Sequence, residues 1–338
     1  MSFEITDDFE IIDLGIQELD VYDIETENDH NFFGNNILVH NSVYMSLRGI
    51  VNKRWPDLTD EQEITDKINE YELTELGPYI DECYQQLSVY LNCDVNLLDM
   101  KRENIASTFI VRAKKNYLMK VLDSEHIRFA EPYYKFMGVE SVKTSTPMIV
   151  RDALDNAFKI IINGSEDELR TFVQEFRKTF MSSSLYDIAK PSRITDIVKY
   201  QNKDYTKKKG ITIPINSNGA ITYNKLIHDM NLSNKYEYIR NSDNIRMLPL
   251  KLPNPINSHI IAFIDEFPSE FGLDDYIDKE THFEKVFISP VLSFTVFNNW
   301  TLEENALNEM FGTDLATKTI HTQRLKKTKV LKETTSLF

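Results

Sequence analysis

His40-Asn41-Ser42 places an imidazole, a side-chain amide and a hydroxyl on consecutive residues, directly after the apolar run Ile37-Leu38-Val39. These three groups can rearrange a peptide bond. The Asn41 amide nitrogen can attack its own main-chain carbonyl, closing a succinimide and breaking the bond to Ser42. The His40 imidazole can protonate the departing amine or polarise the carbonyl as a general acid. The Ser42 hydroxyl can carry an acyl group as an ester. The amine released at Ser42 then lies beside that ester and recaptures the acyl group as an amide, a return step that proximity makes fast. The competing reading of the same tripeptide is a polar turn.

The elements that must hold these groups are short. "VYDIETE" alternates apolar and polar residues with period two, and "NFFGNNILVH" reads as strand, turn at Gly34-Asn35-Asn36, and strand. Residues 1–41 hold eleven Asp or Glu and no Lys or Arg. A piece this small cannot bury a core of its own, and its charge calls for a basic partner. Of the chain's net charge of −15, these residues carry −11, leaving −4 for the rest. The overall acidity therefore does not exclude nucleic acid for the body, and the step in charge near residue 41 marks a boundary.

The body is ordinary for a globular chain of 338 residues, 41% of them apolar. No apolar run approaches the roughly 20 residues that span a bilayer, so no membrane partner is expected. "MSFEITDDFE" lacks the basic region of a signal peptide. Cys83 and Cys93 fit no metal motif, which points to a reducing, cytoplasmic setting.

Residues 42–50 read as a further strand. Thr59 and Gln62 suggest a capping box ahead of a helix with Ile64, Ile68 and Tyr71 on one face, and a second helix covers Ile80 to Leu91. "NIASTFIV", "NYLMKVL" and "IRFAEPYYKFMG" predict a β-meander over 104–136, broken at Asp123-Ser124-Glu125. Thr146 and Pro147 open a helix that Asn163-Gly164 stops. Ser165 and Glu168 form a capping box for the next, whose apolar face is Leu169, Phe172, Val173, Phe176 and Phe180. From Ser182 onward the pattern is mixed.

The segment "VYDIETENDHNFFGNNILVHN" resembles the C-terminal end of an intein, the self-excising family with the Hint β-fold. Asp23, His30, Phe32-Phe33, His40 and Asn41 carry the match. The resemblance implies splicing at the Asn41–Ser42 bond. With Met1 only 40 residues before Asn41, it further implies the C-terminal fragment of a split intein that splices in trans. The partner is then an N-terminal half carrying a basic intein fragment.

Downstream of Ser42 the chain resembles phage-type family B DNA polymerases. Joined to an upstream Asp-Thr-Asp, "SVY" would complete that family's metal-site hairpin. "MKRENIAS" (100–107) is similar to a palm segment bearing an acidic residue, matched by Glu103; Lys101 stands where an Asp is usual. "KKNY" (114–117) matches a motif that holds primer–template duplex, and "RFAEPYYKFMGVESVKTSTP" (128–147) resembles the palm-to-thumb junction. "NGAITYNKLI" (218–227) matches a thumb segment, with Asn216 and Asn218 where relatives carry His and Arg. The tail "TTSLF", ending in Leu337 and Phe338, is similar to a sliding-clamp-binding tail, though shorter.

The resemblance implies an α+β chain in three parts: a β-rich Hint-type fragment at 1–41, the palm remainder with its meander at 42–143, and a mainly helical thumb with some strands at 144–338. It also implies binding of primer–template DNA. Phosphates dominate such binding, so the expected contacts are cations: Lys114, Lys115, Lys135, Lys143 ahead of a helix N-terminus, and Lys207, Lys208 and Lys209. Lys114 and Lys115, taken as strand residues, would point to opposite faces, with Tyr117 on the Lys115 side to pack on a sugar or base edge. Two Mg2+ ions serve the polymerase reaction. Their aspartates are expected in the upstream partner, so this chain is expected to be inactive alone, in the cytoplasm of an infected cell. Two other readings stay open: a non-splicing DNA-binding subunit that complements the other half non-covalently, and a scaffold with neither chemistry.

Overall fold

The computed structural model describes residues 31–34, 37–40, 45–93, 96, 100–201, 212–298 and 300. The chain is α+β, with three small sheets among the described residues. The described residues group into two compact units. One is drawn from positions up to Ser107 together with Leu122–Glu131, and the other from Thr108–Val121 and Pro132 onward.

In the first unit, β1 (Asn31–Gly34) and β2 (Ile37–His40) form an antiparallel hairpin, as the turn residues predict. Of the strand expected over 42–50, the described residues 45–47 carry no regular structure and 48–50 belong to a helix, α1, over Arg48–Arg54. Lys53 and Arg54 fall in its last turn, where cations favour the negative end of the helix dipole. Arg54 then binds both carboxylate oxygens of Glu75, at 2.5 and 2.7 Å, and lies 4.7 Å over the Tyr71 ring. The hydrogen bond from Arg54 lowers the pKa of Glu75.

Helix α2 (Glu61–Tyr71) is capped one residue later than the predicted box: Asp60 accepts from the backbone N–H groups of Gln62 and Glu63, both at 2.9 Å. A carboxylate satisfies two orphan donors at once, which a threonine hydroxyl does less well. A π-helical turn (Glu72–Leu76) leads into α3 (Gly77–Tyr90), which covers the predicted helical stretch.

The meander forms, with strands β3 (Asn104–Ala113), β4 (Asn116–Ser124) and β5 (Ile127–Met137) in that order in the sheet; Asp123 and Ser124, read as part of the break, belong to β4. Two-residue turns join them at Lys114–Lys115 and Glu125–His126. Each strand contributes residues to both units.

The second unit holds the larger core. Helix α4 (Met148–Asn163) starts one residue after Pro147, whose carbonyl accepts from Val150 and Arg151. Thr146 is buried and makes no cap. Helix α5 (Glu166–Ser182) carries the predicted Ser165/Glu168 capping box and buries Leu169, Val173, Phe176 and Phe180. These pack against Phe283 and Phe287; the Phe176 and Phe287 ring centroids are 4.6 Å apart.

Short helix α6 (Leu185–Ile188) leads into β6 (Lys190–Arg193), which pairs antiparallel with β7 (Asn244–Pro249), and β7 with β8 (Ile260–Phe263). Between β6 and β7 lie α7 (Ile197–Gln201) and α8 (Ile215–Asp229). Helix α8 lies close on β8: a Cβ added at Gly219 would stand 3.2 Å from the Ala262 nitrogen. Helices α9 (Lys279–Phe283) and α10 (Ser289–Thr295) follow β8, joined by a π-helical turn (Glu284–Ile288). His282 of α9 is buried, donates from Nε2 to the Ile188 carbonyl at 2.7 Å, and has its pKa lowered by burial.

Candidate functional site

The hairpin places His40 at the end of β2, directly across from Asn31, with Phe32 opposite Val39 and Phe33 opposite Leu38. The pairing brings the ends of the "NFFG" and "ILVH" runs together. Asp23, His30, Asn41 and Ser42 lie outside the described residues.

Where β3 begins, consecutive side chains alternate. Lys101 and Glu103 are exposed, while the Arg102 side chain is only 10% exposed. The Arg102 guanidinium sits in a polar cluster. Its Nη1 is 2.7 Å from Asp123 Oδ1, its Nε is 3.5 Å from Glu72 Oε2, and its Nη2 donates to Asn69 Oδ1 at 2.9 Å. The two carboxylate contacts lack the directed geometry of hydrogen bonds, so the attraction there is that of charges at short range. His126 Nδ1 is also 2.9 Å from Nη2. The Glu125–His126 turn has both residues at positive φ, 49° and 64°, as a tight hairpin of this hand requires, and the Glu125 N–H donates to the Glu103 carbonyl at 2.7 Å. Arg102 thereby ties α2 and the π-helical turn to the segment just ahead of β3 that carries Glu103.

In the second unit, Lys114 and Lys115 form the β3–β4 turn instead of strand positions. Strand alternation therefore does not separate them, and both are exposed at the turn. Lys115 adopts φ +56°. The turn is pinned from the far end of β5. Asn116 Nδ2 donates to the Gly138 carbonyl at 2.8 Å, and Gly138, at φ +65°, stands so close that an added Cβ would lie 2.0 Å from the Lys115 oxygen. Tyr117 is buried, its ring edge-on to Phe109 at 5.3 Å, so its ring packs within the protein. Lys135 is half-buried on β5. Lys143 is exposed, pairs with Glu140 at 2.6 Å, and precedes α4 by several residues. Lys207, Lys208, Lys209, Leu337 and Phe338 lie outside the described residues.

Farther along, Asn216 opens α8 and donates to the Arg193 carbonyl at 3.1 Å. Asn224 exchanges two 2.8 Å hydrogen bonds with the Ile239 backbone, fixing the 238–241 segment beside α8. A groove of about 760 Å³ runs there, lined by Ile197, Val198, Ile221 and Tyr238, with Lys225 and Arg240 at its rim. Sequence reading missed Gly138, Asn116 and the Arg102 cluster. The signals were a glycine closing a strand and an arginine between Lys101 and Glu103, and each needs its distant partner to be interpreted. Among the described residues no group of three or more His, Cys, Asp or Glu could hold a metal ion, and no helix is long and apolar enough to cross a membrane.

No protein-family model matches the chain. Over 285 residues it is 29% identical to a DNA-directed DNA polymerase of Enterobacteria phage T4, an alignment covering 80% of this chain and 31% of that protein. Over 288 residues it is 29% identical to a DNA-directed DNA polymerase of Escherichia phage RB69, with the same coverage of each chain. Over four fifths of its length, then, the chain is homologous to phage DNA-directed DNA polymerases, and it spans about a third of the length of these relatives.

Proposed function

We propose that residues 42–338 are the C-terminal part, palm remainder and thumb, of a family B replicative DNA polymerase, and that residues 1–41 are an intein fragment that joins it by splicing in trans to its N-terminal half. The homology to two phage DNA-directed DNA polymerases carries the polymerase part of this reading. The exposed turn Lys114–Lys115, pinned at Gly138, supports it as a phosphate-binding element. The splicing part rests on the block from Asp23 to Asn41, and the pairing of β1 with β2 supports it.

In this reading the upstream half arrives as an ester on the Ser42 oxygen. The Asn41 side-chain nitrogen attacks the Asn41 carbonyl, the bond to Ser42 breaks, and His40 supplies the proton to the departing amine. The freed Ser42 amine displaces its own ester oxygen, leaving an amide. The polymerase reaction uses two Mg2+ ions. Glu103 is the acidic residue this chain brings near that site, by its match to the palm segment "MKRENIAS". The metal ligands are assigned to the upstream half, one pair directly ahead of Ser42.

The test is to express the chain with the upstream polypeptide and weigh the products. Expected are a released fragment ending at Asn41 and a joined protein that extends a primer. Asn41→Ala should abolish release. Absence of release from the wild-type pair sinks the splicing reading. Primer extension by the unspliced Asn41→Ala mixture at the wild-type rate would favour non-covalent complementation instead.

A further inference from the structure

Helix α3 is apolar on more than one side. At about 3.6 residues per turn, Tyr79, Cys83 and Tyr90 fall within about 40° of one another, and Tyr84 and Ser88 lie about 100° or more away. The second pair faces the interior of its unit: Tyr84 is 9% exposed, with its hydroxyl 3.8 Å from Met100 Sδ, and Ser88 is 6% exposed. The first side faces out. Tyr90 is 74% exposed and Tyr79 63%; Val89, about 100° round the helix from Tyr90, is 68% exposed, and Leu73 on the adjoining π-helical turn is 56% exposed. A helix apolar on two sides is normally covered on both, and an exposed patch that includes tyrosines is characteristic of a protein interface.

Charge narrows what covers it. Residues 61–91 contain eight Asp or Glu and one Lys. That field repels the phosphates of DNA and equally repels a second copy of the same segment. The chain spans 31% of its phage relatives, so the larger part of such a polymerase lies outside it. Helix α1, the first after the proposed junction, is held to the α2–α3 turn by the Arg54–Glu75 pair. A polypeptide joined ahead of Ser42 is therefore tethered to the unit that carries this face.

Resting on the reading under Proposed function, we propose that the exposed side of α3 carrying Tyr79, Cys83 and Tyr90, with Val89 at its edge, is the docking surface for the upstream polymerase half, which meets it with an apolar patch rimmed by basic residues. The two halves then associate through their polymerase bodies before the peptide bond at Ser42 is made, and the intein fragments are not the sole contact.

The exposed Cys83 thiol reports on this face directly. The full chain carrying Asn41→Ala, to block release, and Cys93→Ser, to leave one thiol, is mixed with the polypeptide that joins at Ser42 in the splicing assay. Maleimide labelling of Cys83 is then timed. With the intein fragments paired, the effective concentration across the tether is about 1 mM, so a face with a Kd of about 0.1 mM is about nine-tenths occupied and labelling slows about tenfold. Val89→Asp with Tyr90→Glu should restore the free rate while the intein complex persists. Both side chains are exposed, so the melting temperature of the free chain should not change; if it does, the protection of the unsubstituted face decides alone.

An unchanged labelling rate in a complex whose wild-type form splices would overturn the proposal and leave the splicing reading standing. Slowed labelling of the chain by itself, with the mass of a dimer, would also overturn it, in favour of a second copy. Absence of both complex and joined product would instead remove the reading on which the proposal rests.

Discussion

Replacing Gly138 by alanine should displace the lysine turn. The structure sets the size of the effect. Gly138 sits at φ +65°, where an L-residue costs about 1–2 kcal/mol. The new Cβ would be 2.0 Å from the Lys115 carbonyl oxygen, about 1 Å inside the nearest approach that real Cβ atoms show, so the backbone of the turn has to retreat. That retreat breaks the Asn116–Gly138 hydrogen bond, worth about 1 kcal/mol. The second unit should therefore lose about 2–3 kcal/mol in urea unfolding.

If the turn binds primer–template phosphates, Gly138→Ala should also weaken duplex binding about tenfold near 0.1 M salt and lower the salt slope by about 0.9 per lost contact. Fluorescence anisotropy with a primer–template duplex, titrated across salt on the joined protein, reads both quantities. The partial control is Lys115→Gln, which should lower the slope without the stability loss, because the Gly138 contact is to the Lys115 backbone. Unchanged stability would refute the steric reasoning. Lost stability with unchanged affinity and slope would refute the assignment of the turn to DNA.

Arg102→Met should destabilise the first unit by about 3–5 kcal/mol, because it leaves the poorly exposed Asp123 and Glu72 carboxylates without the Arg102 cation. Adding Asp123→Asn should recover part of that loss, and a denaturation series checks both. His282 makes stability pH-dependent. Its folded pKa lies below the ordinary value of 6.5 because burial disfavours the charged ring. Stability is then full above about pH 6.5 and falls by about 1.4 kcal/mol per pH unit as the pH drops from there toward the folded pKa. Melting curves of His282→Gln should show a flatter dependence over that range. The Gly219 approach to β8 predicts that Gly219→Val lowers the melting temperature through a clash with the Ala262 backbone, checked by the same measurement.

Much of this architecture was legible because local patterns agreed with it. The meander followed from period-two runs separated by polar breaks, and α5 from a capping box ahead of an aromatic stripe. The hairpin at 31–40 followed from a Gly-Asn-Asn turn. Those signals are local: dihedral preference and alternation act over a few residues and need no partner. Helix α1 was misread because a seven-residue stretch with large apolar side chains only at Ile50 and Val51 sets no period, and its anchor, Glu75, lies 21 residues from Arg54. The helix cap moved from Thr59 to Asp60 for a smaller reason, the competition between neighbouring oxygens for the same two N–H groups.

By itself the amino-acid sequence determined the residues able to do chemistry at His40-Asn41-Ser42, the acidic N-terminal segment, the resemblance to a polymerase thumb, and the order of most elements. Only the tertiary structure decided that Lys114 and Lys115 share a turn, that Gly138 holds that turn in place, that Tyr117 is buried, and that Arg102 lies between two carboxylates. Each of these depends on contact between residues distant in the chain, which composition and periodicity do not encode. Side chains such as Tyr90 and Tyr117 look alike in sequence; the fold exposes one and encloses the other.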